Sequence, residues 1–149
     1  VDCVFLTKGG VDLKQLPESW EHSFREPRIG KVIAVEPGFS YAMTASSLKS
    51  IQNPVLLINL GNENQRWKAA DMSATGSNII NLMPQAEHAT FAPAHHFTFL
   101  PECKPNGEKI LAEEQDDPIC TDPVGTNRAH IHQQIIAKVS QFLGLPTPQ

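Results

Sequence analysis

Pro54-Val-Leu-Leu-Ile-Asn-Leu60, stopped at once by Gly61, is the stretch on which the fold turns. It is apolar without alternation, so a strand built from it hides both faces, as strands do in a sheet covered by helices on either side. Upstream, Lys31-Val-Ile-Ala-Val35 is a shorter β-branched run closed by Pro37 and Gly38, which predicts a strand over 31–36. Downstream, Ala89-Thr-Phe-Ala92 predicts a third short strand. Between these runs, Ser46, Ser47, Leu48 and Ile51 suggest a short helical or turn connection. Trp67, Ala70, Met72, Ile79, Ile80 and Met83 predict a helical region over 66–83, interrupted near Gly76. Strand and helix alternate, which predicts a parallel sheet.

The ends of the chain read differently. Ile131, Ile135, Ile136, Val139, Phe142 and Leu143 share one helical face between Asn127 and Leu143, and Gly144 followed by Pro146 supplies the stop. Residues 101–126 carry six Pro and Gly residues among acidic ones and predict a long surface loop. Residues 1–30 show no sustained period and predict irregular structure with a short helix near 12–16. The expected class is α/β: one domain over 1–149, a mostly parallel sheet flanked by helices, ending in a long amphipathic helix.

Composition narrows the function classes. The 149 residues are 40% hydrophobic, which suits one ordinary globular domain. A net charge of −4, with 12 scattered Lys and Arg residues, argues against a nucleic-acid surface. No run approaches the roughly 18 apolar residues of a membrane span, and the first thirty residues lack the layout of a signal peptide. The chain starts at Val1 rather than Met, from which we expect that a segment upstream was removed. Cys3, Cys103 and Cys120 form no C-x-x-C pair. A Cys103–Cys120 disulfide would close a loop worth about 3 kcal/mol and place the chain in an oxidising compartment, periplasmic or secreted; two free thiols would fit a cytoplasmic protein equally well.

Two features bear on chemistry. His95 and His96 follow a predicted strand, where the loops of open α/β sheets carry functional groups, so one of them is a candidate general base; the plainer alternative is a pair of surface histidines. Glu63, in Leu60-Gly-Asn-Glu-Asn64, is a candidate for the acid that orients an imidazole, against the alternative of a solvated turn residue. Acid before histidine is the order that α/β-hydrolases use after their nucleophile. Gly38-Phe-Ser-Tyr-Ala42 is the one G-x-S match, yet its strand leaves through Pro37 and no long apolar helix follows. Ser40 therefore reads as a turn or helix-cap serine rather than a nucleophile. His130 and His132 fall on different helix faces, adjacent His95 and His96 do not converge, and no H-E-x-x-H is present, so no metal site is expected.

Several segments together resemble the predicted dienelactone hydrolases, α/β-hydrolases related to dienelactone hydrolase and the platelet-activating-factor acetylhydrolases. Phe24-Arg-Glu-Pro-Arg-Ile-Gly-Lys-Val-Ile-Ala-Val-Glu-Pro37 is similar to the family's D-x-R-I leading into a strand that ends in Pro, and Ser47-Leu-Lys-Ser-Ile with Pro54-Val-Leu-Leu-Ile to its next loop and strand. His96-Phe-Thr-Phe-Leu-Pro-Glu-Cys103 is the most specific match, to a histidine followed by an aromatic, a small hydroxyl residue, Phe-Leu and Cys. Ile119-Cys-Thr-Asp122 and Arg128-Ala-His-Ile-His132 resemble its cysteine loop and the start of its last helix.

The resemblance, over roughly 24–143, implies the C-terminal part of an α/β-hydrolase domain. His96 falls at the triad histidine, and Glu63 falls where the family more often has Asp. The serine elbow and oxyanion loop belong to an N-terminal half that this chain does not contain, and Ser40 falls on the strand after the elbow. The implied activity is hydrolysis of a small ester or lactone by acyl transfer, without a cofactor, with the serine supplied by an upstream segment or a second chain. Phe97 would then wall a substrate pocket, with Phe99 and Leu100 packing beneath the histidine. A noncatalytic binding or structural chain derived from such a hydrolase is the alternative, favoured by the Glu at the acid position and the absent serine.

Overall fold

The structure, a computed structural model, describes residues 2–146. Its centre is a sheet of three parallel strands, β1 (Val32–Val35), β2 (Val55–Leu60) and β3 (Glu87–Phe91), in the order β1-β2-β3. Val32 stands opposite Val55, and Ile58 opposite both Val35 and Ala89. All six residues of β2 are buried, as expected of a central strand with no polar face. The alternation of side chains divides them between two cores. Leu56, Ile58 and Leu60 pack with Ala94 and with Ile131, Ile135 and Phe142 of α5 (Arg128–Leu143). Val55 and Leu57 pack on the other face with Leu48 of α2 (Ala45–Lys49), Met72, and Ile79 of α3 (Ile79–Leu82). The sheet is thus covered on both faces, and the chain is α/β with a long C-terminal helix.

The last helix follows its local signals closely. The Asn127 side chain accepts a hydrogen bond from the His130 N–H at 2.9 Å, and Gly144, at φ 77°, ends the helix in a left-handed cap. The expected helical region 66–83 is mostly absent. It holds a 3₁₀ turn at Lys68–Ala70 and the single turn of α3, with a loop wound around Asp71 between them. The Asp71 carboxylate accepts from the Ser73 N–H at 3.0 Å, and its carbonyl accepts from the N–H and hydroxyl of Ser77. Such side-chain to backbone bonds compete with a helix. The apolar spacing that suggested one arises because Ala70, Met72, Ile79 and Met83 each turn inward.

The expected loop 101–126 contains a helix, α4 (Gly107–Glu114), whose strong helix formers are masked in the sequence by the surrounding prolines. Cys103 and Cys120 close this excursion with a disulfide, their Cα atoms 5.6 Å apart, which decides the question the sequence left open. Upstream of the sheet lie α1 (Asp2–Lys8) and two 3₁₀ turns, at Leu13–Gln15, near the expected short helix, and at Glu18–Glu21. Residues 6–32 include no buried residue.

Candidate functional site

The carboxyl ends of the three strands converge on one edge of the sheet, where open α/β proteins place their ligands. β1 delivers Glu36 there, β2 delivers Asn59 and the 61–71 loop, and the segment after β3 delivers His95 and His96. Gly61 permits the close approach of the last two. Its φ of 87° and the 2.4 Å that would separate a Cβ from the Ala94 carbonyl oxygen admit no side chain.

Glu36, not Glu63, is the carboxylate that faces the histidine. Its side chain is 2% exposed, and its Oε2 accepts a hydrogen bond from Nδ1 of His96 at 3.3 Å. Its Oε1 accepts from Nδ2 of Asn59 at 2.9 Å and from the Leu60 N–H at 2.6 Å. Glu36 adopts φ 48°, a left-handed conformation that costs an L-residue about 1–2 kcal/mol, so the surrounding contacts hold the strain in place. Asn59 sits on the same face of β2 as Val55 and Leu57, fully buried, and also donates to the Ala70 carbonyl at 3.1 Å. The expected Glu63–His96 pair does not form. Glu63 lies exposed in the turn after Gly61 and has no hydrogen-bond or ion-pair partner among the described residues. Glu36 directly follows β1 and is buried, whereas Glu63 lies three residues beyond the end of β2 and is exposed.

The two adjacent histidines have separate tasks. His95 Nδ1 accepts from the Phe97 N–H at 3.0 Å, the Thr98 hydroxyl accepts from the His95 N–H at 2.9 Å, and His95 Nε2 bonds the Thr121 carbonyl. His95 therefore caps the 3₁₀ turn His96–Phe99 with both ring nitrogens engaged. His96 has Nδ1 on Glu36, and its Nε2 has no partner among the described residues. With the proton on Nδ1, the lone pair on Nε2 is available as a base.

The turn is braced from behind. Thr98, fully buried, donates to Asp122 at 2.7 Å, and Asp122 accepts from Nε and from a terminal amine of Arg128 at 2.8 and 3.0 Å. Burial pushes the Asp122 carboxyl up, but the hydrogen bonds from Arg128 and Thr98 outweigh it and hold the group below its ordinary range. His132 bonds the Thr98 carbonyl at 2.7 Å, so it serves this brace, and His130 is exposed. Among the described residues no group of His, Cys, Asp and Glu side chains could hold a metal ion.

In front of His96 lies a cavity of about 250 Å³. Trp67 stands over the imidazole with ring centroids 4.5 Å apart, and Phe97 meets it edge-on at 5.3 Å. Phe99 and Leu100 are exposed rather than packed beneath the histidine; Thr98 takes the inward position. Ser40 is 1% exposed, its hydroxyl has no partner among the described residues, and it makes no bond to His96. A larger depression of about 720 Å³ between Cys103 and Arg128 has charged walls whose principal pair, Asp122 and Arg128, is spent on itself.

The chain matches no protein-family model, no curated protein and no solved structure. The site therefore stands on its geometry. Glu36, Asn59 and Trp67 escaped the sequence reading, although two of them left a signal: Asn59 is the one polar residue in the apolar run of β2, and Glu36 is the charge that ends β1.

Proposed function

We propose that this chain supplies the base and the acid of a serine hydrolase of the α/β class acting on a small ester or lactone, the nucleophilic serine coming from a segment or chain outside these 149 residues. The observation that carries the reading is the His96 imidazole held at Nδ1 by the buried Glu36 and open at Nε2 beside a cavity. A serine hydroxyl placed at Nε2 would pass its proton to His96 as Oγ attacks the carbonyl; His96 then protonates the leaving alkoxide, and water repeats the sequence on the acyl-enzyme. Glu36 takes the role of the acid, holding the tautomer and stabilising the imidazolium that forms. No cofactor enters this chemistry.

The open edge of β1 supports the part played by an outside segment. Val32 and Glu36 donate their N–H groups to Pro54 and Ile58, so those of Ile33 and Val35 point to the other side, where no strand pairs among the described residues. Phe24, Ile29 and Phe39, nearby in sequence, are exposed. A strand added parallel to β1 along this edge would bring its own carboxyl end beside Glu36 and His96. No described helix is long and apolar enough to cross a membrane.

The test is fluorophosphonate labelling of the natural full-length polypeptide, with any partner that copurifies, followed by peptide mapping. Label on a serine outside residues 1–149, lost in His96→Ala and slowed in Glu36→Gln, is the expected result. Label on Ser40 overturns the assignment of the nucleophile. Absence of label on the folded protein overturns the hydrolase reading in favour of a noncatalytic binding or structural chain.

A further inference from the structure

The cavity beside His96 has a composition that selects among ligands. Trp67, Phe97 and Pro118 give it three apolar ring surfaces, and His96 forms part of its wall. Trp67 and Phe97 are inclined to each other by 33° with centroids 6.5 Å apart, so they form one tilted aromatic wall rather than two unrelated contacts. Trp67 is about half exposed. A group resting on this wall gains by apolar burial and by ring contact.

The polar members of the lining do not favour an anion. Arg66 is the one formal cation among them, and it is already engaged: its Nε donates to the Gly61 carbonyl at 3.3 Å and its NH1 lies 3.5 Å from Asp71. Burial pushes the Asp71 carboxyl up, while hydrogen bonds from Ser73 and the charge of Arg66 outweigh it, so this partner stays ionised and neutralises the guanidinium. Gln65 has its side-chain oxygen committed to the Asn62 N–H at 3.2 Å. A carboxylate placed here would lose hydration without a free counter-charge.

We infer that the space between Trp67, Phe97 and Pro118 is the subsite for an uncharged apolar group of the substrate, aromatic or short aliphatic, and that Trp67 sets this specificity. At about 30 Å³ per water in the liquid, a cavity of this size takes a group of roughly eight non-hydrogen atoms. The inference rests on the hydrolase reading only in taking the ligand to be an ester; the preference for neutral over anionic groups belongs to the cavity itself.

The test separates the two. Saturation-transfer NMR on the natural full-length protein, with acetophenone as a neutral ligand that no esterase consumes and benzoate as its anionic counterpart, reads the cavity without turnover. Acetophenone binding at least about tenfold tighter than benzoate, weakened about tenfold in Trp67→Ala and restored in Trp67→Phe, is the expected pattern. Equal binding of the two ligands, no binding of acetophenone, or binding indifferent to Trp67→Ala overturns the inference. Hydrolysis of phenyl acetate supplies the second readout: Trp67→Ala raises KM. Absence of turnover together with the expected ligand pattern strikes the hydrolase reading and leaves the subsite standing.

Discussion

Two carboxylates grip the His95–Phe99 turn from opposite sides, and they end differently. Asp122 binds Thr98 and Arg128, and Arg128 in turn donates to the carbonyls of Pro101 and Ile119 at 3.1 and 2.8 Å. Every strand of that network closes on the backbone. Glu36 binds Asn59, the Leu60 N–H and His96, and there the chain of hydrogen bonds stops at a ring nitrogen that has no partner among the described residues, beside a cavity. A network that closes on itself holds a structure, whereas one that ends in an oriented ring nitrogen beside a cavity is the arrangement the proposed hydrolase chemistry would use.

The largest effect should come from breaking the open network. Glu36→Gln keeps an oxygen for Asn59 and Leu60 but turns an amide toward His96, which forces the other tautomer; on the hydrolase reading kcat falls by about 10⁴-fold while the thermal midpoint changes little. Steady-state kinetics and calorimetry on the same sample check this. Asp122→Ala should do the reverse, leaving the buried Arg128 unpaired at a cost of about 3–5 kcal/mol, read from denaturant midpoints. A Glu36→Gln protein that unfolds, paired with an Asp122→Ala protein that does not, would erase the distinction.

The pH response sharpens it. Because the folded-state pKa of Asp122 is depressed, its contribution is present above the unfolded carboxyl value of about 3.9 and disappears as pH falls through the lower folded value. Stability should decline below about pH 4, and Asp122→Asn should flatten that decline in acid titrations followed by circular dichroism. Reducing Cys103–Cys120, 17 residues apart, should cost about 3 kcal/mol, visible as a lower denaturant midpoint with reductant. The smallest effect belongs to Glu63→Gln. This exposed side chain, without a partner among the described residues, should change stability by less than about 0.5 kcal/mol and leave the site's pH profile alone.

β2 was legible as an apolar run because it is buried on both faces, β1 and β3 as shorter runs beside it, and α5 as a helical stripe bounded by Asn127 and Gly144, since burial and helix capping write themselves into adjacent residues. The Asp71 loop was misread because inward-facing Met72, Ile79 and Met83 mimic a helical period while the serines around them bond the backbone. α4 was hidden because prolines outside it resemble those of a loop. At the site, His96 was visible from its position after β3, but its partner was not: Glu63 satisfied the expected order along the chain, and chain order says nothing of which way a strand-end residue turns.

From the residues alone came the α/β class, the parallel arrangement and the histidine pair, all consequences of short-range patterns in polarity. Only the tertiary structure decided that Glu36 rather than Glu63 meets His96, that His95 is a cap while His96 leaves Nε2 without a partner among the described residues, and that Cys103 joins Cys120. Those choices depend on residues 60, 26 and 17 positions apart, brought together by parallel pairing and long connections. No local propensity encodes such distances; they are set by the packing of the sheet against its helices.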